Sequence, residues 1–151
     1  MTLRYYVKSA LEQFEKKVRE LESSTQVSEV LQNAWSEVCK NFNTWTLDLS
    51  DVEALSLAAS LKATQGDISS TVYSTLLAPT EEFEIPYDEQ MLKEMKSSLE
   101  KLLHNLHGHL KEKAKALISL IDTAIKAQSS IVIRPVSYTH LRAHETSLHL
   151  V

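Results

Sequence analysis

Residues 88–128 read DEQMLKEMKSSLEKLLHNLHGHLKEKAKALISLIDTAIKAQ. Pro86 and Tyr87 precede Asp88, which can cap the first free backbone amides, while Glu89 suits the positive end of a helix dipole. Apolar residues then recur at Leu92, Met95, Leu99, Leu102 and Leu106, a three-four spacing that sets them on one helical seam. The stripe resumes at Leu110, Ala114, Leu117, Ile121 and Ala124. The step from Leu106 to Leu110 is four where three is due, a single stutter. Gly108 lies inside it and weakens a helix by about 1 kcal/mol relative to Ala. The pattern predicts one continuous helix over 88–128, about 60 Å long at 1.5 Å per residue. One small domain does not need that length, so the helix is expected to project past its own bundle or to pack against another chain. Leu103, Ile118 and Leu120 widen the stripe, which suits a bundle of several helices.

The rest of the chain reads as shorter helices around this one. Its 151 residues allow one domain with a sizeable core, and only two glycines and three prolines are available for turns. That scarcity favours helices joined by short loops, so the expected fold is all-α, a four- to five-helix bundle with one long C-terminal helix. A first helix is expected over 2–22, capped by Thr2, with Leu3, Val7, Ala10, Phe14, Val18 and Leu21 as its buried stripe and Tyr6 and Leu11 beside it. A second is expected over 27–41, with Val27, Val30, Leu31, Ala34, Val38 and Phe42 inward. Residues 43–49 then read as a connector holding Trp45, and Trp35 and Trp45 are expected to plug the bundle where helices meet.

Ser50 and Glu53 form a capping box for a third helix, with Val52, Leu55, Ala59 and Leu61 inward. Gly66 would close that helix and Asp67 would open a fourth, running from Ile68 to Leu77. An acidic loop over 80–87 leads into the long helix. After Gln128 the character changes: Ser129 and Ser130 break the pattern, Ile131–Ile133 is a short β-type run, and Pro135 follows. The stretch from Val136 to Ser147 resembles translated cloning or adapter sequence fused to truncated reading frames. The reading is therefore a helical domain over 1–130 and a non-native tail over 131–151, with Arg134–Val151 foreign and without a part in the fold.

No residue is assigned a catalytic, cofactor-binding or metal-binding role. His140, His144 and His149 fall in the tail. His104 and His107 have helix-pair spacing for a metal, with His109 nearby and Glu100 one turn before, but no fourth ligand follows. Cys39 has no base near it in sequence and sits on the apolar edge of its helix, where a thiol acts as a small hydrophobe. Glu81, Glu82 and Glu84 read as a solvated loop, and Lys111, Lys113 and Lys115, interrupted by Glu112, as a wet helix face. The net charge of −4 argues against nucleic acid as a partner. No apolar run is long enough to span a membrane, and no secretory signal opens the chain. A lone cysteine cannot form an internal disulfide, which fits the cytosol or nucleus.

Residues 57–77, LAASLKATQGDISSTVYSTLL, resemble the helix–turn–helix core of a helical domain found in the steroid receptor RNA activator protein and at the C-terminus of the outer coat subunit of COPII vesicles. The likeness lies in Leu57 and Leu61, the short turn, Asp67, the Val72-Tyr73 pair and Leu76. Helix order extends it over roughly residues 10–103, and the continuation after Leu103 departs from it. The resemblance implies a protein-interaction domain in coat assembly or transcriptional co-regulation and carries over no functional residues. The expectation is thus a non-enzymatic binding or scaffold module that meets protein partners, or further copies of itself, through helix 88–128. Its rival is a structural subunit whose long helix is a coiled-coil arm.

Overall fold

The computed structural model describes residues 1–21, 26–65 and 81–136. Within them the chain is an α+β fold and not all-α: five helices accompany a four-stranded antiparallel sheet of order β2-β1-β4-β3. The strands are β1 (Thr2–Val7), β2 (Thr46–Ser50), β3 (Phe83–Ile85) and β4 (Ile131–Val136). The helices are α1 (Lys8–Leu21), α2 (Val27–Asn41), α3 (Asp51–Gln65), α4 (Glu89–Leu102) and α5 (Gly108–Ala127).

β1 occupies a segment that helical periodicity had assigned to the first helix, and β2 and β3 occupy stretches read as connector and loop. Leu3 and Val7 satisfy an i, i+4 helical spacing, but Tyr5 between them completes a period of two, and β-branched and aromatic residues favour the extended chain. Leu3, Tyr5 and Val7 are fully buried. The helix expected from residue 2 therefore begins only at Lys8. Leu47 and Leu49 alternate in the same way within the supposed connector, and Phe83–Ile85 lies in the supposed acidic loop. The β-type run after Ser130 is a true strand. It fills the gap between β1 and β3, pairing Tyr5 with Ile133 and Val7 with Ile131. Residues 131–136, read as outside the domain, thus form a central strand, and Ile131 and Ile133 belong to the core. Residues 137–151 lie outside the described residues.

The long helix is also two helices. A short 3-10 turn at Leu103–Asn105 ends α4, and α5 starts at Gly108. Gly108 has φ +58°, a left-handed conformation that glycine adopts without penalty. Lys96 Nζ lies 2.9 Å from Asp122 Oδ1; on one straight helix their Cα atoms would stand about 39 Å apart. The chain has doubled back at the stutter, and the apolar stripes of α4 and α5 bury against each other. This removes the projecting arm on which both the partner-binding long helix and the coiled-coil alternative depended.

The sheet face bearing Leu3, Tyr5, Val7, Leu47, Leu49, Ile131 and Ile133 is buried, and α3 and α5 pack on the sheet. On α3 the inward residues are Ala54, Leu57, Ala58 and Leu61, while Val52 and Leu55 are 68% and 50% exposed, contrary to expectation. Two of the expected caps form, whereas Thr2, expected to cap the first helix, lies in β1. Asp88 accepts from the Met91 amide at 3.1 Å, and Ser50 and Glu53 close a reciprocal box at 3.1 and 2.8 Å. The fourth helix, Gly66, Asp67 and most of the segment that resembles the coat-subunit domain lie outside the described residues. The described part of that segment, 57–65, is helical.

Candidate binding recess

The α1–α2 hairpin stands beside the sheet and leaves a recess of about 440 Å³ between them. Register explains which side chains enter it. Residues directly opposite in an antiparallel pair share a face, so Arg4 lines up with Asp48 on one side and Arg134 on the other, and Tyr6 with Thr46. These residues alternate with the core positions of β1, β2 and β4. From the hairpin come Leu11, Phe14, Glu15 and Trp35, and the connector before β2 adds Trp45.

The aromatic side chains form a continuous wall. The ring centroids of Trp35 and Trp45 are 4.7 Å apart, those of Phe14 and Trp45 5.6 Å, and those of Tyr6 and Trp45 6.2 Å. Phe14 meets Trp35 edge to face at 6.4 Å. Separations of this order lie in the favourable range for aromatic pairs. Trp45 is 3% exposed, whereas Trp35 is only partly buried against the core. Both indoles thus sit at the junction between hairpin and sheet rather than between the helices of a bundle, and of the two only Trp45 is buried as expected. The Trp45 indole N–H is buried and has no hydrogen-bond partner among the described residues. A buried donor without an acceptor is costly, which makes it conspicuous.

The polar wall is fixed by a fork. Arg4 donates from Nε to Asp48 Oδ1 at 2.8 Å and from Nη2 to Oδ2 at 3.0 Å. The hydrogen bond to Asp48 holds the Arg4 guanidinium above its ordinary pKa, against the desolvation that would lower it. Asp48 is fixed in turn, since its carbonyl accepts from Lys113 Nζ at 2.8 Å. Arg134 lies over the Tyr6 ring, its guanidinium carbon 5.4 Å from the centroid, and pairs with Glu82 at the surface.

The residues weighed in the sequence lie elsewhere. His104, His107 and His109 are exposed, and no group of three potential metal ligands occurs among the described residues. His109 Nε2 meets Glu53 Oε2 at 2.7 Å, joining the capping box to α5. Burial would raise the Glu53 carboxyl, but the Ser50 amide, the nearby Lys113 and the Ser50 hydroxyl together hold it below its usual range. Cys39 is exposed, not set on an apolar edge. Of the acidic loop, Glu82 reaches Arg134 and Glu84 reaches Lys8. No helix among the described residues is long and apolar enough to cross a membrane.

Sequence reasoning missed Arg4, Asp48 and Arg134. The signal was present in the alternation of Arg4 and Tyr6 with Leu3, Tyr5 and Val7, and of Asp48 with Leu47 and Leu49. No protein-family model, curated protein or solved structure matches this chain.

Proposed function

We propose that the protein is a non-enzymatic recognition module that grips a segment of a partner protein in the recess between the α1–α2 hairpin and the sheet. The observation that carries this reading is the recess of about 440 Å³ itself, walled by the clustered rings of Phe14, Trp35 and Trp45 beside the Arg4–Asp48 fork. Binding sites of this kind combine apolar walls with a few fixed polar groups. Here the walls are Leu11, Phe14, Trp35 and Trp45, and the fixed polar group is the Arg4–Asp48 fork. Aromatic and arginine side chains are also those that contribute most at protein interfaces. The single thiol, Cys39, fits a reducing compartment such as the cytosol or nucleus.

Selection from a displayed random peptide library tests this reading. Peptides retained by the protein should also bind Trp35→Phe, which keeps an aromatic ring, and fail to bind a folded Trp35→Ala. Peptides that bind Trp35→Ala as well as the native protein would place recognition elsewhere, and a library yielding no binders would remove the proposal.

A further inference from the structure

Resting on the recess as the binding site, we propose that its ligand is a single carboxylate carried on an apolar or aromatic body, as presented by an acidic residue beside an aromatic one in a peptide. The recess is lined by two guanidiniums, Arg4 and Arg134, and two carboxylates, Asp48 and Glu15. Arg4 and Arg134 are register partners on adjacent strands, so two guanidiniums stand on one face, where like charges oppose each other. Asp48 answers only the first, through its fork with Arg4. Arg134 is answered by Glu82, outside the recess, in a pair whose side chains are 40% and 60% exposed. Exposed pairs of this sort contribute little, so a ligand carboxylate can take the place of Glu82 while the Tyr6 ring keeps the guanidinium in position. Charge-assisted bonds from arginine to a carboxylate are among the stronger polar contacts available. Leu11, Phe14 and Trp35 supply surface for the apolar body. Glu15, exposed at the recess, opposes negative charge there, so the ligand is expected to carry no more than the one carboxylate that Arg134 can answer.

Both tryptophans of the chain line the recess, so intrinsic fluorescence reports its occupancy directly. The probes are 3-phenylpropionate, the isosteric 3-phenylpropanamide and 3-phenylpropylammonium. The carboxylate should bind roughly tenfold more tightly than the amide, as expected for a charge-assisted bond. Arg134→Gln should bring its affinity down to that of the amide and leave the amide unchanged. Glu15→Gln, a change on an exposed helix face that leaves the fold in place, should strengthen carboxylate binding. Equal binding of carboxylate and amide would overturn the inference and leave the recess as a binding site. Preferential binding of the ammonium, weakened by Glu15→Gln, would likewise overturn it and make the aromatic wall a cation cage. Failure of all three probes, with Trp35-dependent peptides still bound, would overturn the carboxylate alone; failure of the peptides too would remove the recess as a site.

Discussion

Lys96 on α4 and Asp122 on α5 meet at 2.9 Å, although 26 residues separate them. This contact is possible only because the apolar stripe over 88–128 folds at Gly108. Spin labels at positions 96 and 122, introduced into a Cys39→Ser background, should therefore report close approach. A distance distribution centred near the ~39 Å of a straight helix would refute the hairpin.

The same carboxylate gives a pH signature. Hydrogen bonds from Lys96 and then Lys126 hold Asp122 below its usual pKa. A depressed folded-state value means that its stabilisation is present above the unfolded value, near 3.9, and is lost as pH falls through the folded one. Asp122→Asn should cost at most about 1 kcal/mol at neutral pH, given its partial exposure. Denaturant melts should show that difference shrinking below about pH 4. A constant difference down to pH 2 would mean that charge is not its source.

Trp45→Ala should cost about 3–5 kcal/mol, since it removes a buried indole that touches Tyr6, Phe14 and Trp35. Trp35→Ala should cost less, because that ring already meets solvent on one side. Chemical denaturation of the two variants settles the order, and an equal or reversed ranking would count against the packing described.

The Ser50–Glu53 box starts α3 and reaches His109 on α5 through Glu53. Ser50→Ala should lower stability by about 1 kcal/mol, as for loss of a helix cap. Gly108→Ala meets open space, so any cost there comes from its φ of +58°. That cost should be about 1–2 kcal/mol. Thermal melts that leave either variant unchanged would contradict the corresponding local geometry.

Ending the chain at Ser130 should abolish cooperative folding. It deletes β4, which separates β1 from β3 and buries Ile131 and Ile133. Circular dichroism and a thermal scan of residues 1–130 test this directly. A native-like melt of that fragment would show that the sheet is dispensable.

The helices were legible where length and caps agreed: α2, α3 and α4 start within a residue or two of their expected positions, and Gln128 ends α5 in the left-handed conformation. The strands were not. β1 is six residues and β3 only three, too short for alternation to outweigh a competing i, i+4 spacing such as Leu3–Val7. The scarcity of glycine and proline misled as well, because no two described strands that follow one another in sequence are joined by a tight turn; helices intervene. Half of the recess was visible as two large indoles. The other half, Arg4, Asp48 and Arg134, comes together only through strand register, which no local pattern carries.

The strand order places the first strand against the last described one at the middle of the sheet. Ser9 and Ser129, hydrogen-bonded at 2.9 Å beside that seam, are 120 residues apart. Closing such a loop costs entropy before any contact compensates for it, and distant pairings of this kind slow folding. During synthesis β1 leaves the ribosome more than 120 residues before β4, so of its two neighbours in the sheet it has only β2 for company until β4 has emerged. Throughout that interval one flank of β1 offers unpaired amides and carbonyls to any passing strand, including that of a sister chain on the same message. The exposure ends only when Ile133 and Ile131 settle beside Tyr5 and Val7.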